Sequence, residues 1–387
     1  MKPVIQSVPL VSPPAPGKRA KYCGSVIYAY AYDIAYELDR EKMNELLGQK
    51  LVPFEFDSNH RHPRHHSFCK PSTVRLPSIE RMGPDGPVQL ERAVKVLPIG
   101  AISITVRLPF AVDRLEDLVR LHDLQFETGS LSAEVRVLAE AVRKELAPLS
   151  HRPVSQLADE EAYTVFCIEA PLLGPDGQPI QAEEWFRSNR RHVAALLTQE
   201  DDLGDLSKQE AEESTARYLS YYQNDLVVVD WDAALLVDDR ADFEEALYVM
   251  ELANLQLAEL EAYDKVLDES LERSYRDLSR HKLRNRRHVL QELREIRIDM
   301  ARFGDELLNI TKFFGDWHLA RLYQHLAARF HLSDWHQTVE EKLKTLDNLY
   351  EILKHDQNNR WMLILEATIV LLFIIDLIIL FMGIRPG

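Results

Sequence analysis

The chain has 387 residues, 46% hydrophobic and 28% charged, which allows two domains and a sizeable core. A formal net charge of −16 argues against general nucleic-acid binding and against the bulk of the chain lying flat on an anionic membrane. Three cysteines (Cys23, Cys69 and Cys167) stand far apart without paired spacing, as in a reducing compartment.

Residues 1–21 read as a disordered, extended leader. They are proline-rich, they lack an apolar core long enough for a secretory signal, and they are unlike an amphipathic transit peptide. Residues 22–240 read as one α/β head with a mixed sheet. From Val26 to Tyr36 the chain alternates, with Val26, Tyr28, Tyr30, Tyr32, Ile34 and Tyr36 on one face and Ala29, Ala31, Asp33 and Ala35 on the other. Period two with β-branched and aromatic residues predicts a strand, its tyrosines facing a helix. A short helix is expected from Arg40 to Leu47, a strand from Lys50 to Phe56, and a polar, proline-punctuated loop from Asp57 to Pro87. Strands follow at Ala93 to Leu97 and Ala101 to Leu108, the latter with Ile102, Ile104, Val106 and Leu108 inward and Pro109 closing it.

Helical periodicity runs from Arg114 to Leu146 with a break near Gly129; Tyr163 to Ala170 returns to strand and Ala182 to Leu197 to helix. Leu226 to Val229 and Ala233 to Val237 flank Asp230-Trp231-Asp232, a hairpin pattern. Gly-Pro-Asp-Gly occurs at Gly83 to Gly86 and at Gly174 to Gly177, two independent tight turns.

Residues 241–360 read as a helical coiled-coil arm. Ala253, Leu257, Leu260, Asp264, Leu267, Leu271, Ser274 and Leu278 keep alternating steps of four and three. The pattern resumes from Val289 to Trp317, and a third helix begins near Ser333 with Val339, Leu343, Leu346, Tyr350 and Leu353 as its seam. Between the first two seams lies the basic run Arg280, Lys282, Arg284, Arg286 and Arg287. Either one long helix carries a stutter there or the chain reverses; cations at a helix end favour reversal. In the reversed arrangement this run comes to membrane level as a basic foot against anionic lipid.

Residues 361–383 read as one C-terminal transmembrane helix. From Trp361 to Phe381 there is no Gly, Pro or basic residue, and about 20 helical residues span a hydrocarbon core of about 30 Å. Glu366 and Asp376 interrupt it as intramembrane polar groups, expensive in lipid, whose burial implies packing between copies in a homo-oligomer. The fold class expected is therefore α+β: a mixed-sheet head, long antiparallel or coiled-coil helices and a single-pass anchor. The bulk of the chain is placed in the cytoplasm, and the partners expected are the lipid bilayer, further copies and an unidentified protein.

Residues that could carry chemistry are sparse. His60, His62, His65 and His66, with Cys69, are candidate ligands for a divalent metal, although a solvated His-rich loop explains them better. Asp225, Asp230, Asp232, Asp238 and Asp239 crowd the hairpin and could hold a hard cation, with Trp231 a packing anchor. No phosphate loop, nucleophile elbow or paired-histidine zinc helix is present, so the expectation is no enzyme, no bound cofactor, no nucleic acid and no small-molecule substrate.

Asn224 to Asp239, the helix Leu247 to Leu271 and Leu365-Glu366 together resemble the required-for-meiotic-nuclear-division family, over roughly the last 40% of the chain by this reading. That resemblance implies an oligomeric membrane protein and transfers no catalytic residues. The order of head, arm and terminal helix is also similar to CorA-type magnesium channels, without their second membrane helix or Gly-Met-Asn loop. Three functions follow as expectations: an oligomeric scaffold or tether first, a divergent ion-conducting oligomer second, and a membrane-tethered metal-dependent enzyme third.

Overall fold

A computed structural model describes residues 20–39, 43–53, 71–83, 86–97, 100–127, 129–174, 177–280, 294, 298 and 317–381. The order is β1 (Tyr22–Asp33), β2 (Ala35–Leu38), β3 (Glu45–Leu46), β4 (Gln49–Lys50), β5 (Val52–Pro53), β6 (Ser72–Gly83), β7 (Gly86–Val96) and β8 (Ala101–Val112). A 3-10 turn at Leu115–Leu121 leads to β9 (Gln125–Phe126), β10 (Gly129–Ser130), α1 (Leu131–Leu146), β11 (Ser150–Pro153) and β12 (Glu161–Glu169). Then come α2 (Ala182–Leu197), α3 (Lys208–Ser214), β13 (Tyr218–Leu219), β14 (Leu226–Val229), β15 (Ala233–Asp238) and α4 (Phe243–Arg280). Two helices complete the described chain, α5 (Trp317–Arg329) and α6 (Leu332–Phe381).

The architecture is mixed α+β. Its main sheet has nine strands in the order β13-β14-β15-β12-β1-β8-β7-β6-β5. All neighbours are antiparallel except β12 and β15, which pair in parallel from Thr164↔Ala233 to Glu169↔Asp238. β1 sits in the middle, so its alternation decides both faces. Val26, Tyr28, Tyr30 and Tyr32 enter a core with Ile102, Ile104, Val106 and Leu108 of β8, closed by Leu131, Val135 and Val142 of α1 and Trp185 and Phe186 of α2. The tyrosine stripe thus lies under helices as its pattern predicts.

The opposite face is covered as well. Ile27, Tyr163, Val165, Cys167, Val227 and Leu236 meet Phe243, Leu247, Met250 and Ala253 of α4. On β1 this face is small, with Ala29 and Ala31, and Ala31 packs beneath Tyr248, Leu252 and Leu255. Small residues let a helix approach a sheet closely. Lys95 and Ser103 on this side both bond Glu251 of α4, at 2.6 and 3.3 Å.

Beyond the sheet, α4 and α6 lie side by side. Leu260 and Leu267 share one core with Val339, Leu343 and Leu346, so the seam positions read in the sequence do meet. Phe330, just before α6, packs edge-on to Tyr163, and further along Lys342 reaches both Asp264 and Asp268 at 2.6 Å. The two helices therefore run in the same direction. Burial works against the charge of Lys342, but its bonds to Asp264 and Asp268 and their negative charges outweigh it, and its pKa is raised. The charged seam residue Asp264 pins the register of this packing.

The structure departs from the expected elements in several places, among them the two short strands Gln125–Phe126 and Gly129–Ser130 within the expected helical stretch Arg114 to Leu146. Arg40 to Leu47 does not form the expected helix where it is described: Glu45–Leu46 pairs with Gln49–Lys50 around Leu47 and Gly48, both at positive φ (51° and 69°). Glycine tolerates that backbone region, and two such residues make a tight hairpin turn. The expected loop from Asp57 to Pro87 contains the long strand β6, paired with β7 from Ser72↔Val96 to Gly83↔Gly86. A register shift between Leu76 and Ile79 accommodates Pro77, whose ring denies the ladder a donor. Prolines suggested a loop; of the described ones, Pro77 sits at the bulge and Pro87 pairs with Met82 beside the end of the ladder. Pro109 likewise fails to close β8, which continues to Val112.

Among the described residues no helix is long and apolar enough to cross a membrane. This overturns the transmembrane helix expected at 361–383, and with it the single-pass anchor and the cytoplasmic placement deduced from it. The described apolar side chains of α6 run from Met362 to Ile378, about 25 Å at 1.5 Å per residue against a core of about 30 Å. Glu366 and Asp376 lie within that run, both exposed.

One glycine is dictated by close approach. A Cβ on Gly24 of β1 would stand 1.8 Å from the carbonyl oxygen of Cys167 on β12. Both strands are central, so neither can retreat without disturbing its other neighbour. Gly24→Ala is expected to cost about 2 kcal/mol or more in urea unfolding, whereas alanine at Gly86, with open space around it, should cost less despite its φ of +125°.

Candidate functional site

The tip of the β14–β15 hairpin meets the elbow between α5 and α6. Asp230 pairs with Arg329, and both side chains are buried. Arg329 also reaches Glu213 at 3.3 Å, and its guanidinium lies 5.6 Å from the Trp231 ring centroid. His331, at a φ of +50°, stacks on the same indole at 5.2 Å with an interplanar angle of 21°. The Tyr163 hydroxyl lies 3.1 Å from the carbonyl oxygens of Asp230 and Ala233, to either of which it can donate. Trp231 itself stays 47% exposed, lying against Arg329 and His331 and outside the hydrophobic core.

Three of the five aspartates expected as a cation site have other partners, Asp230 among them. Asp225 accepts from the backbone N–H groups of Tyr221 and Tyr222 at 2.7 and 3.0 Å, and Asp238 accepts from that of Asp239. Burial pushes the Asp238 carboxyl up to about 6, opposed by that bond and assisted by the charges of Asp225, Asp242 and Asp239. Among the described residues no group of three or more His, Cys, Asp and Glu is placed to hold a metal ion. His60, His62, His65, His66 and Cys69 lie outside the described residues. So do Lys282, Arg284, Arg286 and Arg287, while α4 ends at Arg280.

A carboxylate pair escaped the sequence reading. Glu161 opens β12 and Glu261 lies a hundred positions later on α4, which the amide of Asn254 ties to the Glu161 carbonyl at 2.9 Å. Burial raises the Glu161 pKa to about 8, together with a hydrogen bond to Glu261 and the charges of Glu261, Asp232 and Glu160. Two carboxyls so close keep one proton between them at neutral pH. A carboxyl protonated there can donate where its neighbours only accept. No local spacing signals this; only the docking of α4 on β12 makes it.

The far end of α6 has a different character. Thirteen large apolar side chains between Met362 and Ile378 are each 44–70% exposed. Glu366 and Asp376, ten positions apart, are roughly 80° apart around the axis and about 15 Å apart along it, so they cannot touch within one chain.

A family model described as Uncharacterized protein MJ0711, N-terminal domain, matches residues 23–244, which runs from β1 to the first turn of α4. The chain belongs to this family. The uncharacterized protein MJ0711 of Methanocaldococcus jannaschii is 25% identical over 223 residues, which is 57% of this chain and 65% of that relative. The chain therefore spans slightly less than two thirds of the relative's length. No solved structure matches. The MJ0711 match overturns the resemblance to the required-for-meiotic-nuclear-division family and to CorA-type channels. The apolar run from Leu226 to Val237 that suggested the former is what two fully buried strands require, since Leu226, Val228, Ala233, Leu235 and Val237 all lie in the core.

The carboxylate pair makes stability depend on pH with a definite sign. A carboxyl whose pKa is raised on folding binds more protons folded than unfolded between the two values, so stability falls as pH rises from about 4.5 to about 8. Because Glu161 is partly exposed, solvent screening reduces the effect. Glu161→Gln should flatten this slope and raise Tm at pH 8 by about 3 °C, with little change at pH 4.5. Thermal scans across that range check it; an unchanged slope would show that the pair carries no shared proton.

Proposed function

We propose that the chain is an oligomeric scaffold, in which the α+β unit and the α4–α6 helices are gathered by copies of α6 packing on one another. The observation that supports this is the run from Met362 to Ile378, where large apolar side chains project on every side of the helix. A helix apolar all round belongs in an interior. Enclosing each such side chain is worth roughly 1.5–3 kcal/mol, and the run offers on the order of 1,000 Å² per copy, above the roughly 800 Å² per partner of a stable interface. A single neighbour would cover one side only. Several copies in a bundle cover all of them, with Glu366 and Asp376 at separate levels along its axis.

The described surface of α4 and the first half of α6 is charged, and a net charge of −16 keeps copies apart elsewhere. Association is thereby confined to the terminal run. A scaffold of this kind presents several α+β units on one stalk, and its partner is a further protein that those units hold.

Sedimentation of the full-length chain tests the reading. An assembly of three or more copies is expected, reduced to monomer by Leu371→Glu combined with Ile375→Lys while far-ultraviolet circular dichroism stays unchanged. A chain that is monomeric before substitution, whether free or taken up by lipid vesicles, overturns it.

A further inference from the structure

β1 begins at the same end of the main sheet at which β13 ends. Gly24 pairs with Ile168, Glu169 with Asp238 and Leu226 with Val237, so one residue further along these ladders Cys23, Glu169, Asp238 and Asp225 form a row across that end. The row closes at Tyr221, whose backbone N–H donates to the Asp225 carboxylate at 2.7 Å. Beside β1 the row is acidic. Arg240 reaches Glu169 at 3.6 Å, but among the described residues Asp238, Asp239 and Asp242 have no cationic partner at ion-pair distance. At its far end the row is aromatic: Tyr221 and Tyr222 stand edge to face with ring centroids 4.7 Å apart, and they are 57% and 70% exposed.

Residues 1–19, which lie outside the described residues, join the chain at this end through Ala20 and Lys21. Their composition complements the row. They hold Lys2, Lys18 and Arg19 and no acidic residue, in a chain of charge −16, and the last two cations enter beside the aspartates. Further back stand Pro13, Pro14 and Pro16, and open aromatic rings are what proline-rich segments dock on. The lengths agree. β13 is four strands from β1, about 19 Å at roughly 4.8 Å per strand. At about 3.1 Å per residue for an extended proline-rich segment, the three prolines come about 12–22 Å from Ala20.

We propose that Tyr221 and Tyr222 form a docking surface for this chain's own proline-rich leader, which crosses the end of the sheet with Lys18 and Arg19 over the aspartates and Pro13, Pro14 and Pro16 on the rings. A proline segment loses little conformational entropy on docking, because its backbone is restricted beforehand. The contact lies within one chain over a short span, so the effective concentration is high and individually weak contacts suffice. The cations steer the segment along the row, and the rings fix where it stops. The docking uses no residue of the apolar run of α6, so it stands whether or not copies associate there.

Photo-cross-linking in the full-length chain tests the docking. With p-benzoylphenylalanine in place of Ala15, the product expected by mass spectrometry joins the leader to the peptide bearing Tyr221 and Tyr222. Mixing isotopically light and heavy copies identifies the source. Products within one isotope are expected, whereas light-to-heavy products would assign the surface to a second copy and overturn the intramolecular reading. Trypsin gives an independent readout, because cleavage follows the population of the open segment. Cleavage after Arg19 should be at least about tenfold faster than in the parent for Tyr222→Ala, and likewise for Pro13→Ser combined with Pro14→Ser and Pro16→Ser. Asp239→Asn combined with Asp242→Asn should speed it by about threefold. Unaltered Tm in these variants separates undocking from unfolding. Cross-links that fall elsewhere on the chain, or equal cleavage rates in parent and variants, would overturn the proposal.

Discussion

Lys95 on β7 and Glu251 on α4 meet at 2.6 Å with side chains only 7% and 5% exposed, and Ser103 of β8 bonds the other carboxylate oxygen. Buried charge pairs of this kind add little net stability, because desolvation offsets the attraction. What they supply is position. Sliding α4 by one turn would leave an ammonium and a carboxylate buried apart, which is far more costly than a displaced leucine. The apolar contacts around them, Ala31 beneath Tyr248, Leu252 and Leu255, tolerate several registers; the polar trio tolerates one.

The polar contacts farther along α4 follow from that register. Asn254, one turn beyond Glu251, lands on the Glu161 carbonyl and brings Glu261 to the Glu161 carboxyl. Gln256 accepts from the Tyr323 hydroxyl at 2.6 Å and so fixes α5. Asp264 and Asp268 then take Lys342 of α6. The helical layer is thus zipped from the sheet outwards through alternating apolar seams and specific polar pairs. Arg329 and Asp230 close it from the other side, tying the α5–α6 elbow to the hairpin tip.

Much of this was legible in the residues because period two and period 3.6 are strong wherever one side is buried. Tyr28, Tyr30 and Tyr32 on β1, Ile102 to Leu108 on β8, the hairpin around Trp231, and α2 all lie where alternation or helical spacing places them. The strand β6 was not legible, since it lies near the edge, is half-exposed along most of its length and carries Pro77 at a bulge. An outer strand shows little hydrophobic contrast, so proline dominated the reading. The hairpin at Leu47 and Gly48 was missed for a related reason: its two-residue strands are too short to establish a period.

The polar sites were illegible for a different cause. Glu161 and Glu261 lie a hundred positions apart, and no spacing rule connects them. Their chemistry arises only after α4 has docked. The sequence-level candidates were local clusters of like residues, the histidines from His60 to His66 and the aspartates around Trp231. Asp225, Asp230 and Asp238 of the second cluster prove to be spent on turns and on Arg329. Local density of a ligand-like residue thus misdirects when acidic loop ends have backbone N–H groups to satisfy.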